Sequence, residues 1–126
     1  LVVNKTNGMI ICTHFCNGKT HDFNLFKKSK LPLRPATRVI VDTGYIGIKN
    51  THHLCELPEK RSKHHPLTDT AKRFNRTLSS IRALNENVIG CIKRFRIISE
   101  RYRNRRKRFA LRFNLIAGLY NYELGA

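Results

Sequence analysis

Acidic residues are scarce in this 126-residue chain: 8 Asp and Glu stand against 25 Lys and Arg, for a formal net charge of +17. So large a cationic surplus attracts polyanions and makes the folded chain repel itself. Nucleic acid is therefore the leading partner class and an anionic membrane surface the second. The membrane reading fails for want of a basic amphipathic helix with a strong apolar face. Long hydrophobic runs are also missing, since no segment reaches the roughly 20 apolar residues of a membrane span. No secretory signal opens the chain. Cysteine is limited to Cys12, Cys16, Cys55 and Cys91, too few and too scattered for a disulfide framework. A reducing, cytoplasmic compartment is the corresponding expectation. There is no glycine-rich phosphate loop, no assignable Ser-His-Asp arrangement, no internal repeat and no low-complexity tract.

What is present suits one globular domain: the length suffices for a real core and 40% of residues are hydrophobic. Leu1 to Asn4 and Met9 to Phe15 read as strands, and the intervening Asn7-Gly8 is a hairpin signal because both residues tolerate positive φ. Leu1 already lies in strand-like sequence, which suggests a fragment that begins part-way through a sheet. A short helix is expected from about Asp22 to Lys30, capped by Thr20 or Asp22 and stopped by Pro32 and Pro35. Arg38 to Val41 reads as a short, fully buried strand. Ile46 to Leu54 reads as a short helix, and Leu57 to Pro66 as a basic connection with room for a strand. From Thr68, a suitable N-cap, Phe74, Leu78, Ile81, Asn85, Val88, Ile92 and Phe95 recur at the spacing of one helical face. The last run, Phe109 to Leu124, is apolar almost all round and reads as a buried helix. Together these elements make an α/β layer architecture.

Against that background two carboxylates are oddly placed. Asp42 ends the apolar run Arg38-Val39-Ile40-Val41, at the carboxyl end of a strand, where ligand sites of open α/β sheets cluster. Glu86 lies midway along the long helix, beside the apolar stripe and expected to face inward. Arg82 stands one turn before it, Gly90 one turn after, and Lys93 seven residues on. Such carboxylates supply hard oxygen ligands to a divalent ion, and a phosphodiester is the natural substrate for that ion in a basic chain. The plainer readings are an Asx-turn or helix cap for Asp42 and an i,i+4 ion pair with Arg82 for Glu86. The other six acids suit solvated or capping positions. Arg101, Arg103, Arg105, Arg106, Lys107 and Arg108 put six cations in eight residues with no acid among them. That favours phosphate contact over a solvated helix terminus, and Tyr102 could stack on a base or sugar. Cys12, His14 and Cys16 alternate on one strand, with His21 as the nearest fourth ligand, but the spacing matches no tight zinc pattern. The pairs His52-His53 and His64-His65 read as surface residues.

The stretch Val39-Ile40-Val41-Asp42-Thr43-Gly44-Tyr45-Ile46-Gly47 resembles the second-aspartate motif of insertion-sequence transposases of the DDE superfamily. Arg82 to Phe95 resembles the segment that carries that family's final glutamate, with an arginine four before, a glycine four after and a lysine seven after. Asn17-Gly18 through His21-Asp22 resembles its Gly-x-x-His-Asp turn. Arg105 to Gly118, with Tyr120-Asn121, is similar to its C-terminal helix. The resemblance implies an RNase H-like mixed sheet with flanking helices. It also implies two divalent ions, Mg²⁺ or Mn²⁺, that activate water or a 3′-hydroxyl for in-line attack on DNA. Asp42 would be the second acid and Glu86 the third, with Arg82, Lys93 and the cations of 101–108 facing phosphate. The first acid would lie on a strand preceding Leu1, so the first catalytic strand is expected to be missing. Residues 1–126 would then be the C-terminal part of one catalytic domain, expected to bind DNA but, without the first acid, to be inactive alone. The implied partners are mobile-element ends and target DNA, with homo-oligomers compatible, in a bacterial cytoplasm at the nucleoid. Two alternatives stand beside this: a non-catalytic basic nucleic-acid-binding module, and an inactive remnant of a mobile element.

Overall fold

The computed structural model of the chain describes residues 1–16, 19–63, 66–103 and 106–125, the side chain of Arg106 excepted. It divides into two compact units, one of Leu1–Phe15 with Ala83–Ala126 and one of Cys16–Arg82. The described elements are those of a mixed α/β protein: two-stranded sheets, one in each unit, and helices.

In the first unit, β1 (Val2–Val3) pairs antiparallel with β2 (Ile10–Cys12), Val3 opposite Ile10. The turn between them closes through Gly8 N–H on the Asn4 carbonyl at 2.8 Å and Asn4 N–H on the Met9 carbonyl at 2.8 Å. Gly8 sits at φ +74°, a region that glycine enters at no steric cost. The expected hairpin is therefore present, although its strands are shorter than the apolar runs. The second half of α2 (Asp69–Lys93), α3 (Arg96–Ser99), a 3₁₀ turn (Arg106–Arg108) and α4 (Phe109–Gly125) complete the unit. Ile10, Val88, Ile92, Ile116, Ala117 and Tyr120 form its core, with Phe95 and Phe113 packed against it.

Asn121 binds β2 as a strand neighbour would. Its Oδ1 accepts from Ile10 N–H at 2.8 Å and its Nδ2 donates to the Ile10 carbonyl at 2.9 Å. One helical repeat earlier, Asn114 Oδ1 accepts from the Thr13 hydroxyl. α4 is not buried all round as its sequence suggests. Ile116, Ala117 and Tyr120 are buried, whereas Leu111, Leu115 and Leu119, spaced by four, are exposed. Within this unit α4 meets its neighbours on one side only.

In the second unit, α1 spans Asp22–Ser29. Its cap is neither Thr20 nor Asp22 but His21, whose Nδ1 accepts from Phe23 N–H at 3.4 Å. Asp22 instead occupies the first turn, where a carboxylate suits the helix dipole. Lys30 closes the helix in the left-handed region, φ 47°, two residues before Pro32. β3 (Val39–Ile40) pairs parallel with β4 (Cys55–Glu56), Val39 opposite Cys55. β3 is half-buried, not fully buried, because β4 is its only sheet neighbour among the described residues. The stretch read as a helix from Ile46 to Leu54 holds a single 3₁₀ turn instead, Ile48–Asn50, set off from the preceding 3₁₀ turn Thr43–Tyr45 by Gly47 at φ +93°. A left-handed residue there interrupts any regular helix.

His52 corrects the surface reading of its pair. It is 7% exposed, and its Nε2 lies 2.5 Å from the Thr37 carbonyl. His53 is exposed, and His64-His65 lie outside the described residues. α2 begins as its sequence predicts: Ala71 N–H donates to Thr68 Oγ1 at 3.2 Å, and Leu78 of the apolar stripe is 1% exposed. Phe74 departs from that stripe, being 41% exposed. Asn75 ties α2 to the preceding connection by accepting from Glu59 N–H at 2.8 Å and donating to the Glu59 carbonyl at 2.9 Å.

Candidate functional site

Asp42 follows β3 directly, held in extended backbone (φ −82°, ψ 165°) as the cap of the Thr43–Tyr45 turn. Its Oδ1 accepts from Thr43 N–H at 2.5 Å and from the Thr43 hydroxyl at 3.1 Å. Its Oδ2 pairs with Arg82 Nη2 at 2.8 Å. The capping role weighed from sequence is thus present, and the other oxygen carries a charge pair as well. The carboxylate remains half open to solvent, with 50% of its side chain exposed. Tyr45, in the same turn, has its phenol pushed above the usual value, first by burial and then by the nearby Asp22 and Asp42 carboxylates.

Arg82 is the link that sequence spacing could not supply. The i,i+4 rule pairs it with Glu86, whereas the structure pairs it with a carboxylate 40 positions earlier in the chain. Glu86 is exposed, which corrects the inward-facing placement read from its neighbours in the stripe. Val88 and Ile92 take the buried positions, and Glu86 turns out toward solvent. Gly90 faces open space, since a Cβ there would meet nothing within 4 Å. Lys93 is likewise exposed. Asn85, the polar residue of the stripe, buries its Oδ1 without a hydrogen-bond partner among the described residues.

Of the basic segment, Arg101, Arg103, Lys107 and Arg108 are exposed, Arg105 lies outside the described residues, and so does the side chain of Arg106. The segment leads straight into α4, whose first turn contains no acid. A cationic run at a helix N-terminus opposes the helix dipole, so helix formation does not explain it. Tyr102 differs from its sequence reading. Its ring meets Phe109 edge-on at 5.0 Å, and its hydroxyl accepts from Arg112 at 2.9 Å. The ring is used internally because Phe109 and Arg112 of α4 reach back to it.

β2 ends at Cys12, so the strand alternation of Cys12, His14 and Cys16 does not continue; His14 and Cys16 are exposed. Among the described residues no three or more His, Cys, Asp or Glu side chains gather to hold a metal ion. Sequence reasoning also passed over the lysines around α1. Their signal was visible in Lys27-Lys28 and Lys30, which read only as the tail of a helix.

One unit thus carries a strand-end aspartate paired with Arg82, and the other carries the glutamate one turn further along the helix and the cationic run before the last helix. Residues 1–121 match the family model described as DDE superfamily endonuclease. The chain belongs to the DDE superfamily of endonucleases. It is also 45% identical over 124 residues to the probable transposase for insertion sequence element IS702 of Microchaete diplosiphon. That match covers 98% of this chain and 45% of the relative, so the chain spans less than half the relative's length. No solved structure matches it. Among the described residues of this DDE-superfamily chain, no helix is long and apolar enough to cross a membrane.

Proposed function

We propose that this chain is part of a single RNase H-like catalytic domain of a DNA transposase, which cleaves and joins phosphodiester bonds at mobile-element ends. Asp42 and Glu86 are, in this reading, two of the acids that ligate divalent metal. The observation that carries it is the Asp42–Arg82 pair: the strand-end acid is engaged by the helix residue one turn before Glu86. Family membership and the likeness to a probable transposase support the same reading.

The donor chemistry fits a hard ion such as Mg²⁺ or Mn²⁺. Both groups are carboxylates, Asp42 is half open, and Glu86 is exposed. Mg²⁺ is commonly held by one or two carboxylates, with water and substrate phosphate filling the rest. When bound, the metal supplies Lewis-acid activation of the attacking oxygen and charge stabilisation at the leaving oxygen. The chain's own part is to hold and orient. Thr43 fixes one oxygen of Asp42, and Arg82 keeps the other charge-balanced. Lys93 and the cations of 101–108 offer the phosphate backbone neutralising contacts. In-line attack by water or a 3′-hydroxyl would then break one phosphodiester bond or exchange it for another.

A specific observation favours a second reading. Both Asp42 oxygens already have protein partners, as in a non-catalytic basic module whose acids merely cap and pair. Titrating Mn²⁺ into the wild-type chain, Asp42→Asn and Glu86→Gln by calorimetry separates the two. Transposase chemistry predicts binding in wild type that weakens in each variant. Identical weak titrations in all three would leave the binding-module reading standing alone.

A further inference from the structure

One side of α1 is anchored and the rest is exposed. Phe23 and Phe26 pack edge-on against Tyr45, with ring centroids 6.2 and 6.1 Å apart. Tyr45 closes the turn that Asp42 caps, its N–H donating to the Asp42 carbonyl at 3.0 Å. α1 is therefore fastened to the turn that presents Asp42. Asn24 and Lys28 stand on the exposed side, and Lys27 beside the anchored face, at the three- and four-residue steps that bring side chains together on a helix. With Lys19, Thr20 and Lys30 they line one shallow concavity.

No acid lines this concavity, and none of its four lysines forms an ion pair among the described residues. Lys27 lies over the Phe23 ring at 4.8 Å, which holds its stem against the helix. Cations in a last helical turn favour the dipole. That accounts for Lys27 and Lys28 but not for Lys19, which precedes the helix. Nor does it account for Lys30, a left-handed cap position that glycine fills without strain. Four ammonium groups around a concave surface focus positive potential outward and call for an external polyanion. Ammonium groups are point charges without the bidentate fork that reads a base edge. A contact made by them positions a nucleic acid without reading its sequence.

We propose that this concavity holds the sugar–phosphate backbone of DNA, so that α1 fixes the DNA relative to Asp42. The inference rests on the transposase reading and adds a site to it: a sequence-independent clamp built on the turn that carries the catalytic acid.

The test is the salt dependence of binding to a short random-sequence duplex. Three chains are compared: wild type, a clamp variant (Lys19→Gln, Lys28→Gln, Lys30→Asn), and a control (Lys60→Gln, Arg61→Gln, Lys63→Gln). The control removes the same charge from the exposed connection before α2. Lys27 stays in place because it covers Phe23. Each lost phosphate contact flattens the log–log salt slope by about 0.9, so the clamp variant should lose roughly 2 to 3 and the control less than about 1. Equal losses in both variants would mean that net charge alone matters and overturn the clamp. So would an unchanged clamp variant. Inorganic phosphate that competes as well as duplex at matched ionic strength would make this an anion pocket and overturn the DNA assignment. A wild-type chain that binds no duplex would overturn the underlying reading as well, and that outcome is distinct from the others. If the triple variant melts early by circular dichroism, Lys28→Gln alone should still flatten the slope by about 0.9.

Discussion

Two glycines near the candidate acids have opposite physical jobs. Gly47 follows the Asp42 turn at φ +93°, and a Cβ there would stand 3.5 Å from the Phe23 ring. Its value is conformational, because left-handed backbone at a residue bearing a Cβ costs about 1–2 kcal/mol. Gly90 sits in mid-helix with open space around it, where glycine costs about 1 kcal/mol relative to alanine. Gly47→Ala should therefore destabilise the chain by about 1 kcal/mol or more. Gly90→Ala should stabilise it by up to about 1 kcal/mol. Urea melts of the two variants check both signs. A stability gain at Gly90 accompanied by weaker DNA or metal binding would show that the open space serves an approaching ligand. By contrast, the Asp42–Arg82 pair is too exposed to matter much for folding. At 50% and 32% side-chain exposure, it belongs with pairs worth no more than about 1 kcal/mol. Whatever that pair contributes lies in positioning the carboxylate.

Among the elements, β2 depends on α4 for the hydrogen bonding of Ile10. β1 covers one edge, and the amide of Asn121 supplies a donor and an acceptor to Ile10 on the other. A strand of three residues with an open edge is a poor structural unit, so the asparagine acts as a substitute strand. Asn121→Ala leaves a part-buried N–H and C=O unpaired, and each such group costs about 1–3 kcal/mol. The expected result is a loss of about 2 kcal/mol or more, together with faster hydrogen exchange at Ile10. Asn121→Leu should be no better, since a leucine restores volume but neither hydrogen bond. The elements that could be read from sequence were those whose cause is local. Asn7-Gly8 dictates its hairpin, and the stripe around Leu78, Val88 and Ile92 dictates its helix. Those that escaped depend on distant partners. β4 exists because β3 lies beside it, His52 is buried because the Thr37 carbonyl receives it, and Arg82 leaves Glu86 because Asp42 is within reach. The candidate acids themselves were legible from their flanking residues. Their pairing state was not, because no local spacing encodes it.

For the whole molecule, the controlling quantity is charge. Among the described residues five ion pairs engage Arg38, Lys72, Arg82, Arg94 and Arg96, and most of the other described cations have no acid within ion-pair distance. Salt then acts on folding and on DNA binding with opposite signs. It screens the repulsion among exposed cations, whose reach shrinks from about 10 Å at 0.1 M to about 3 Å at 1 M. The melting temperature of the free chain should therefore rise with sodium chloride. Binding to duplex DNA gains from released counterions, and a protein making roughly 6 to 10 phosphate contacts loses about 10³- to 10⁵-fold in affinity between 50 and 200 mM salt. Thermal melts and binding isotherms across one salt series measure both. A melting temperature that fell with salt would mean that surface ion pairs outweigh the repulsion. Affinity indifferent to salt would mean that the surplus charge does not face DNA. Neutralising Arg101, Arg103, Lys107 and Arg108 to Gln should move both curves together, raising stability at low salt while flattening the binding slope. A segment that only capped α4 could not do this. Removing its cations would leave the slope where it was.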